Sequence, residues 1–454
     1  MKNQKQKILK NNVMIFRKWG RKNYSVFSTL KKVVNVSVLS VTYLLSVPAP
    51  AMVIQRDTSE VKINYDLEEV EVTASRIPLL YSQVARVLSV IEAQEINRMP
   101  VESIQDLLEY VAGIDIRQRG AEGVQADISI RGGTFDQTLI LLNGINITDP
   151  QTGHHNLNLP ISLSQIERIE ILEGPAARVY GPNAFSGAIN IVTQQPGQKS
   201  IRTQVSAGSF GYFNAGLSGS FRTGQLKNML AASRNGSKGY IENTDFSTLN
   251  FYYSGEHISG AGNVFFQGGL TRKAFGANSF YTPVYPNQFE KIQALFGSVR
   301  MKSQTKLNLT PSVYWRRHYD TFMLFRENAP GWYSHHNYHR TDVWGADLNS
   351  LFLWIGGKTS FGAGFRSEAI LSNVLGEPMA EIINFRKKEV FYTHFKNRKV
   401  ASLFAEHAVH QDKWSLTSGI MANYISDNET GMNLFPGIRS EEHTSELQSL
   451  SHLG

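Results

Sequence analysis

The chain of 454 residues has no cysteine, and apart from its two ends it has no charge bias. Without thiols there is no disulfide framework, no cysteine-ligated metal and no thiol nucleophile; an oxidising compartment is permitted but not required. The formal net charge of +8 suggests nucleic acid or an anionic surface as a partner. Its distribution removes that suggestion. Residues 1–32 hold ten Lys and Arg and no acid, residues 33–51 are uncharged, the tail 439–454 has one Arg against three Glu, and residues 52–438 therefore balance to zero. No nucleic-acid partner is expected. Long apolar runs are also missing. Val33–Val47 has fifteen residues, interrupted by Asn35, Ser37, Ser40, Thr42 and Ser46, whereas a spanning helix needs about 20. Catalytic signatures are absent as well. No H-E-x-x-H occurs, and the Gly-rich run Gly174–Gly187 fits neither G-x-x-x-x-G-K nor G-x-G-x-x-G. Glu170 and Glu173 are close in sequence but sit in one strand and its turn, which is not a hydrolase pair. No enzyme is expected.

What is present begins with a leader. A basic stretch ending at Lys31-Lys32, the apolar run and the small residues Ala49-Pro50-Ala51 have the layout of a secretory signal over residues 1–51. Met14 is an alternative start. Residues 52–66 are polar and without sustained periodicity, hence a flexible linker. Leu67, Glu68, Glu69, Val70, Glu71, Val72, Thr73 and Ala74 then alternate as an extended segment would. At the far end, Arg439–Ser449 reads RSEEHTSELQS. That is the in-frame translation of a common sequencing-library adapter. The native sequence is therefore expected to continue past Ile438, with 439–454 a non-native tail.

Between these ends two textures alternate with position. Asp127–Arg131, Thr138–Leu142, Ile166–Leu172 and Ala188–Thr193 are short apolar-alternating segments, most closed by Gly turns, and predict strands. Ser89–Asn97 and Ser103–Val111 precede them. In the second, Ile104, Leu107, Leu108 and Val111 share one helical face, Ser103 can cap it and Gly113 follows its end. After Gly197 come alternating segments of about ten residues: Thr203–Ala207, Asn214–Phe221, Thr248–His257, Asn263–Thr271, Ile292–Met301, Asn308–Arg317, Lys358–Arg366, Val400–His410 and Trp414–Ile425. Short turns alternate with long connections such as Lys273–Glu290 and Thr321–Arg340, the pattern of a transmembrane β-barrel. Phe251, Tyr252, Tyr253, Phe265, Phe266, Trp315 and Trp354 suit its aromatic girdles. At roughly 22 residues per strand and connection, 198–438 holds about eleven strands.

The wording of the first region carries a resemblance. Ile130-Arg131-Gly132, Leu142-Asn143-Gly144, Glu167-Arg168-Ile169-Glu170 with Glu173-Gly174-Pro175, and Tyr180-Gly181 with Gly187-Ala188-Ile189-Asn190-Ile191 follow in order across about Val70–Pro196. Together they resemble the plug domain of TonB-dependent outer-membrane transporters, and within them the vitamin B12 transporter group. The resemblance implies an α+β plug over 75–197, then an antiparallel transmembrane β-barrel of which 198–438 is about half, since plugged barrels have about 22 strands. It implies export to the outer membrane of a Gram-negative bacterium and contact with outer-membrane lipid. It makes Leu67–Ala74 the TonB box, added as a strand to the TonB protein. The imported ligand would be cobalamin, with a ferric siderophore as the alternative. From another class, a passive adhesin or a phage or colicin receptor would need no such box.

The resemblance also places a binding site on the outward plug loops and the long barrel loops. Arg119, Glu122, Gln125, Asp149, Gln151, His154, His155 and Asn156 would offer polar groups; Tyr281 and Trp332, with Tyr285 and Tyr333, would offer flat apolar faces. Arg131, Arg168, Glu170 and Glu173 would be structural or gating residues in the polar lumen. His154-His155 and His335-His336 with His339 raise the question of a metal. Adjacent histidines are ordinarily exposed loop groups, and no metal or cofactor is expected.

Overall fold

The computed structural model describes residues 71–72, 79–80, 88–120, 123–174, 180, 182–197, 199–385, 390–411, 414–427 and 431–442. The chain divides into Met1–Leu67, which lies outside the described residues together with the expected signal and linker, and Glu68–Gly454. Of the expected TonB box only Glu71–Val72 is described. This pair, β1, runs antiparallel to β2, Leu79–Leu80. Glu122 and residues 443–454 of the expected tail also lie outside the described residues.

The apolar alternation becomes a five-stranded sheet. Its strands are β3 (Leu88–Glu92), β6 (Thr138–Leu142), β7 (Ile145–Asn146), β8 (Ile166–Glu173) and β9 (Gly187–Thr193), in the order β3-β8-β9-β6-β7. Only β6 and β9 pair in parallel. A separate hairpin joins β4 (Ile114–Arg119) and β5 (Gln125–Ile130). Helix α1 is Ala93–Ile96 and helix α2 is Ile104–Glu109. Ser103 caps α2 in a capping box with Asp106, and Gly113 takes the left-handed conformation just beyond it. Ser89–Asn97 divides: its first half is strand β3 and its second half α1, because Ser89, Ile91 and Val90 find partners in Ile171, Ile169 and Glu170 of β8.

Strands β6 and β9 are buried on both faces, so period two sorts their side chains between two cores. Ile140, Leu142, Ile189 and Ile191 join Leu107, Leu108 and Ile128 in the main core. Leu139, Leu141 and Ala188 join Leu88 and Leu172 in the second. Each fully buried Ile or Leu contributes about 1.5–3 kcal/mol.

After residue 199 the chain is an antiparallel meander. Twelve strands lie on one continuous path: β10 (Ser200–Ala207), β11 (Phe213–Thr223), β12 (Leu226–Ser237), β13 (Phe246–Ser259), β14 (Gly262–Gly276), β15 (Phe289–Ser303), β16 (Thr310–Met323), β17 (Asn337–Trp354), β18 (Gly357–Ser372), β20 (Val390–His410), β21 (Trp414–Ile425) and β22 (Met432–Glu442). A thirteenth, β19 (Glu377–Phe385), pairs only with β20. The sheet is a partly closed barrel wall. Leu249, Phe251, Val299, Val313, Trp344, Leu348, Leu403 and Ile420 stand exposed on its outer face, while Met229, Ala231, Tyr252, Phe296, Tyr314 and Val343 pack into the core of the small sheet. The α+β domain therefore plugs the inside of the wall. No helix of the described residues is long and apolar enough to cross a membrane; crossing by strands is a separate matter.

Candidate functional site

The plug is tied to the wall chiefly through its own backbone carbonyls. Arg300 Nη1 donates to Asn143 O at 2.8 Å, Arg366 Nη2 to Thr148 O at 2.7 Å, and Lys273 Nζ to Val124 O at 2.9 Å. Asn143 Nδ2 donates to Gln267 Oε1 at 2.7 Å. Its backbone is left-handed, with Gly144 after it, in the Asn-Gly turn between β6 and β7. That turn aims a side-chain amide outward from the plug.

At the end where the long barrel connections lie, most expected site residues meet in one polar network. The Asp149 carboxylate accepts from Arg316 Nη1 at 2.5 Å, and His318 Nδ1 stands 3.1 Å away. Asp149 N–H donates to Asn156 Oδ1 at 2.9 Å, and Gln151 N–H donates to Asp149 Oδ1 at 2.8 Å, which folds the loop on itself. A turn at Gly153–His155 follows, capped by Thr152. It places His154 against Asp127, which Arg119 also meets at 3.1 Å. It also places His155 inside, ring to ring with His318 at 4.4 Å and with Nε2 3.7 Å from Asp320 Oδ2. Gln151 Nε2 reaches the same Asp320 oxygen at 3.2 Å. Gln125 Nε2 donates to the Tyr281 hydroxyl at 2.9 Å; that hydroxyl donates to Glu290 Oε2 at 2.8 Å, and the Arg119 guanidinium lies 5.6 Å from the Tyr281 ring centre.

Two groups of the plug are shifted by this environment. Burial would raise the Asp149 carboxyl, but Arg316, His318 and His155 outweigh it and hold it well below the usual carboxylate range. Burial opposes charging His155, but Asp320, with Glu290 and Asp149, outweighs burial and raises it above an ordinary imidazole. In the loop, burial and then Glu290 push the Tyr281 phenol up.

The expected residues differ in what they leave for a ligand. Gln125, Asp149, His155 and Asn156 are buried. His154 and Arg119 are about a quarter to a third exposed, and Tyr281 is 42% exposed. Trp332 stands apart. It is 64% exposed and packs edge-on against Phe325 at 5.6 Å, in a cluster that includes Tyr285 and Tyr333. The four charged residues of the lumen pair within the plug. Arg131 meets Glu173 at 2.8 Å, Arg168 meets Glu170 at 2.9 Å, and Asn190 Nδ2 donates to Glu170 at 2.9 Å. His335 and His336 lie in the loop before β17, and His339 is buried on β17 beside Ser372. Sequence reasoning missed Glu290, Arg316, His318 and Asp320. The signal was the spacing of Arg316, His318 and Asp320, two apart on one face of a strand.

Residues 81–188 match the TonB-dependent receptor plug domain. That segment is similar in sequence to the plug domain of TonB-dependent receptors. Over 126 residues it is 35% identical to the vitamin B12 transporter BtuB of Vibrio vulnificus (strain CMCP6), which covers 28% of this chain and 20% of that protein. Over 176 residues it is 32% identical to the vitamin B12 transporter BtuB of Vibrio cholerae (classical Ogawa 395), covering 38% and 28%. The siderophore receptor PirA of Pseudomonas aeruginosa has the same fold with a TM-score of 0.58 at 18% identity, over 79% of this chain and 59% of that one. The chain thus spans about a quarter of these curated relatives in alignment and under two thirds of the solved receptor. The matched family and the named neighbours are receptors and transporters.

Proposed function

We propose that this receptor chain is the plug and part of the barrel of an active importer in the outer membrane of a Gram-negative bacterium, whose cargo is cobalamin. The observation that carries the reading is a plug whose apical loops and backbone carbonyls are fixed to the barrel wall by hydrogen bonds. A filled lumen conducts a large solute only if the plug moves, and the outer membrane has no nucleotide supply to move it. The energy must arrive through a partner. TonB binding at Leu67–Ala74 meets that need, and strand addition asks only for an extended, alternating segment. Glu71–Val72 already takes extended pairing. Cobalamin as cargo is favoured by the 32–35% identity to vitamin B12 transporters over 126 to 176 residues.

The test is uptake of labelled cobalamin by cells that carry the complete receptor gene as their only such transporter. Val70→Pro removes a backbone donor from the strand to be added. Uptake should fall to the background of a strain without TonB, with cobalamin binding retained. Unchanged uptake removes the TonB-box reading. Binding of a ferric siderophore in place of cobalamin changes the cargo and leaves the coupling.

A further inference from the structure

Behind the apical loop lies a buried acid pair that is short of partners. Strands β15 and β16 set Glu290 and Asp320 on the inner wall. Asp320 is opposite Ile292, so Glu290, two residues along, is its diagonal neighbour on the same face. The turn at Gly153–His155 brings His155 from the plug to meet them. One ligand atom from each of the three lies within 4.8 Å of the others, and all three residues are buried.

Their polar atoms are incompletely satisfied. Glu290 Oε2 accepts from Tyr281, but Oε1 has no partner. Asp320 Oδ2 accepts from Gln151, but Oδ1 has none. His155 Nδ1 is 3.4 Å from Asn158 Nδ2, which leaves Nε2 directed at Asp320, and 3.7 Å is too far for a hydrogen bond. Arg316 is committed to Asp149. Among the described residues, the sole ion pair of Glu290 or Asp320 is the one with His155. Two buried carboxylates facing each other's space need a cation or a proton.

We propose that His155, Glu290 and Asp320 bind one divalent transition-metal ion between the plug and the barrel wall. One imidazole nitrogen and two carboxylate oxygens are a set that zinc and its first-row neighbours accept at about 2.0–2.2 Å. Calcium and magnesium favour all-oxygen shells, and without a thiolate the set does not suit copper(I). Ligand atoms set tetrahedrally around one ion are about 3.4 Å apart at those bond lengths, so atoms now within 4.8 Å of one another close by at most about 1.4 Å. Since His155 belongs to the plug and the acids to the wall, the ion bridges the two and holds the apical loop down. This site is independent of the imported cargo and of TonB.

The experiment uses the purified receptor in detergent, stripped with chelator and titrated with zinc sulfate alone by calorimetry, with cobalt(II) as a spectroscopic stand-in. One zinc per chain at micromolar affinity or tighter is expected. The near-isosteric Glu290→Gln and Asp320→Asn should each weaken it at least tenfold, while His335→Ala, on the exposed loop, should not. Zinc should also slow hydrogen exchange of residues 148–158 in the wild type but not in Asp320→Asn. If either variant misfolds, the wild-type cobalt spectrum decides. Intense bands of a low-symmetry nitrogen–oxygen site support the proposal, and the weak spectrum of hydrated cobalt overturns it. Absence of stoichiometric zinc in the folded wild type overturns it too, as does zinc binding lost in His335→Ala but kept in both acid variants.

Discussion

Asp149 and Arg316 show what a buried charge needs. The carboxylate is fully enclosed, yet it stays ionised because the guanidinium meets it at 2.5 Å. Replacing Arg316 with Met leaves that carboxylate uncompensated, which should cost about 3–5 kcal/mol and lower the urea midpoint of plug unfolding. The folded-state carboxyl is depressed. Its contribution is therefore present above the unfolded value of about 3.9 and lost only as pH falls through the lower folded value, so mild acid at pH 5 should not release this contact. His154 is a different case, being partly exposed and set against Asp127. His154→Ala should weaken cargo binding several-fold, about 1 kcal/mol for one contact in a wet site, with barrel insertion unchanged in heat-modifiable gel mobility. Normal affinity would move recognition to the aromatic loop around Trp332.

Elements were legible where one face is wet and the other dry. The alternation marked most wall strands and four of the seven plug strands β3–β9, and Ser103 marked the start of α2. Leu226–Ser237 escaped because its inward Met229 and Ala231 are apolar where the plug touches them, which blurs the period. The strand Asn337–Trp354 begins inside the expected connection Thr321–Arg340, because its outer end carries His339, bonded to Ser372, and Arg340 and Asp342, which pair inside the structure. The same effect hid half of the site. Gln125, Asp149 and His155 stood out on the outward plug loops, whereas Glu290 ends a segment that reads as a connection and Asp320 falls between an expected strand and the next connection. Gly187 gives the element-scale test. A Cβ there would sit 2.4 Å from the backbone oxygen of Leu172 on the neighbouring strand. Gly187→Ala must push β8 and β9 apart and should destabilise the plug by about 1–3 kcal/mol, seen as faster proteolysis of the plug than of the wall.

For the whole molecule, the plug is held by cations of the wall that grip its carbonyls. Hydrogen bonds from charged donors contribute about 1.5–3 kcal/mol each. Replacing Arg300 and Arg366 together with Met should loosen the plug at the turn between β6 and β7 and at the start of the apical loop. In cells with the complete receptor, the expected outcome is greater sensitivity to large antibiotics that the outer membrane normally excludes; unchanged sensitivity would show that packing alone retains the plug.

The order of the plug sheet has a mechanical consequence. Strand β3 is the first strand of the plug sheet in chain order, and it lies at the sheet's margin, joined only to β8 over five residue pairs. The parallel pair β6–β9 lies deeper, with partners on both sides. Tension applied to the chain ahead of Leu88 therefore meets the weakest seam first. It can peel one strand away and leave the remaining sheet, and the loop clamped under His155, in place. Under such tension the domain would yield in stages, from its N-terminal margin inward.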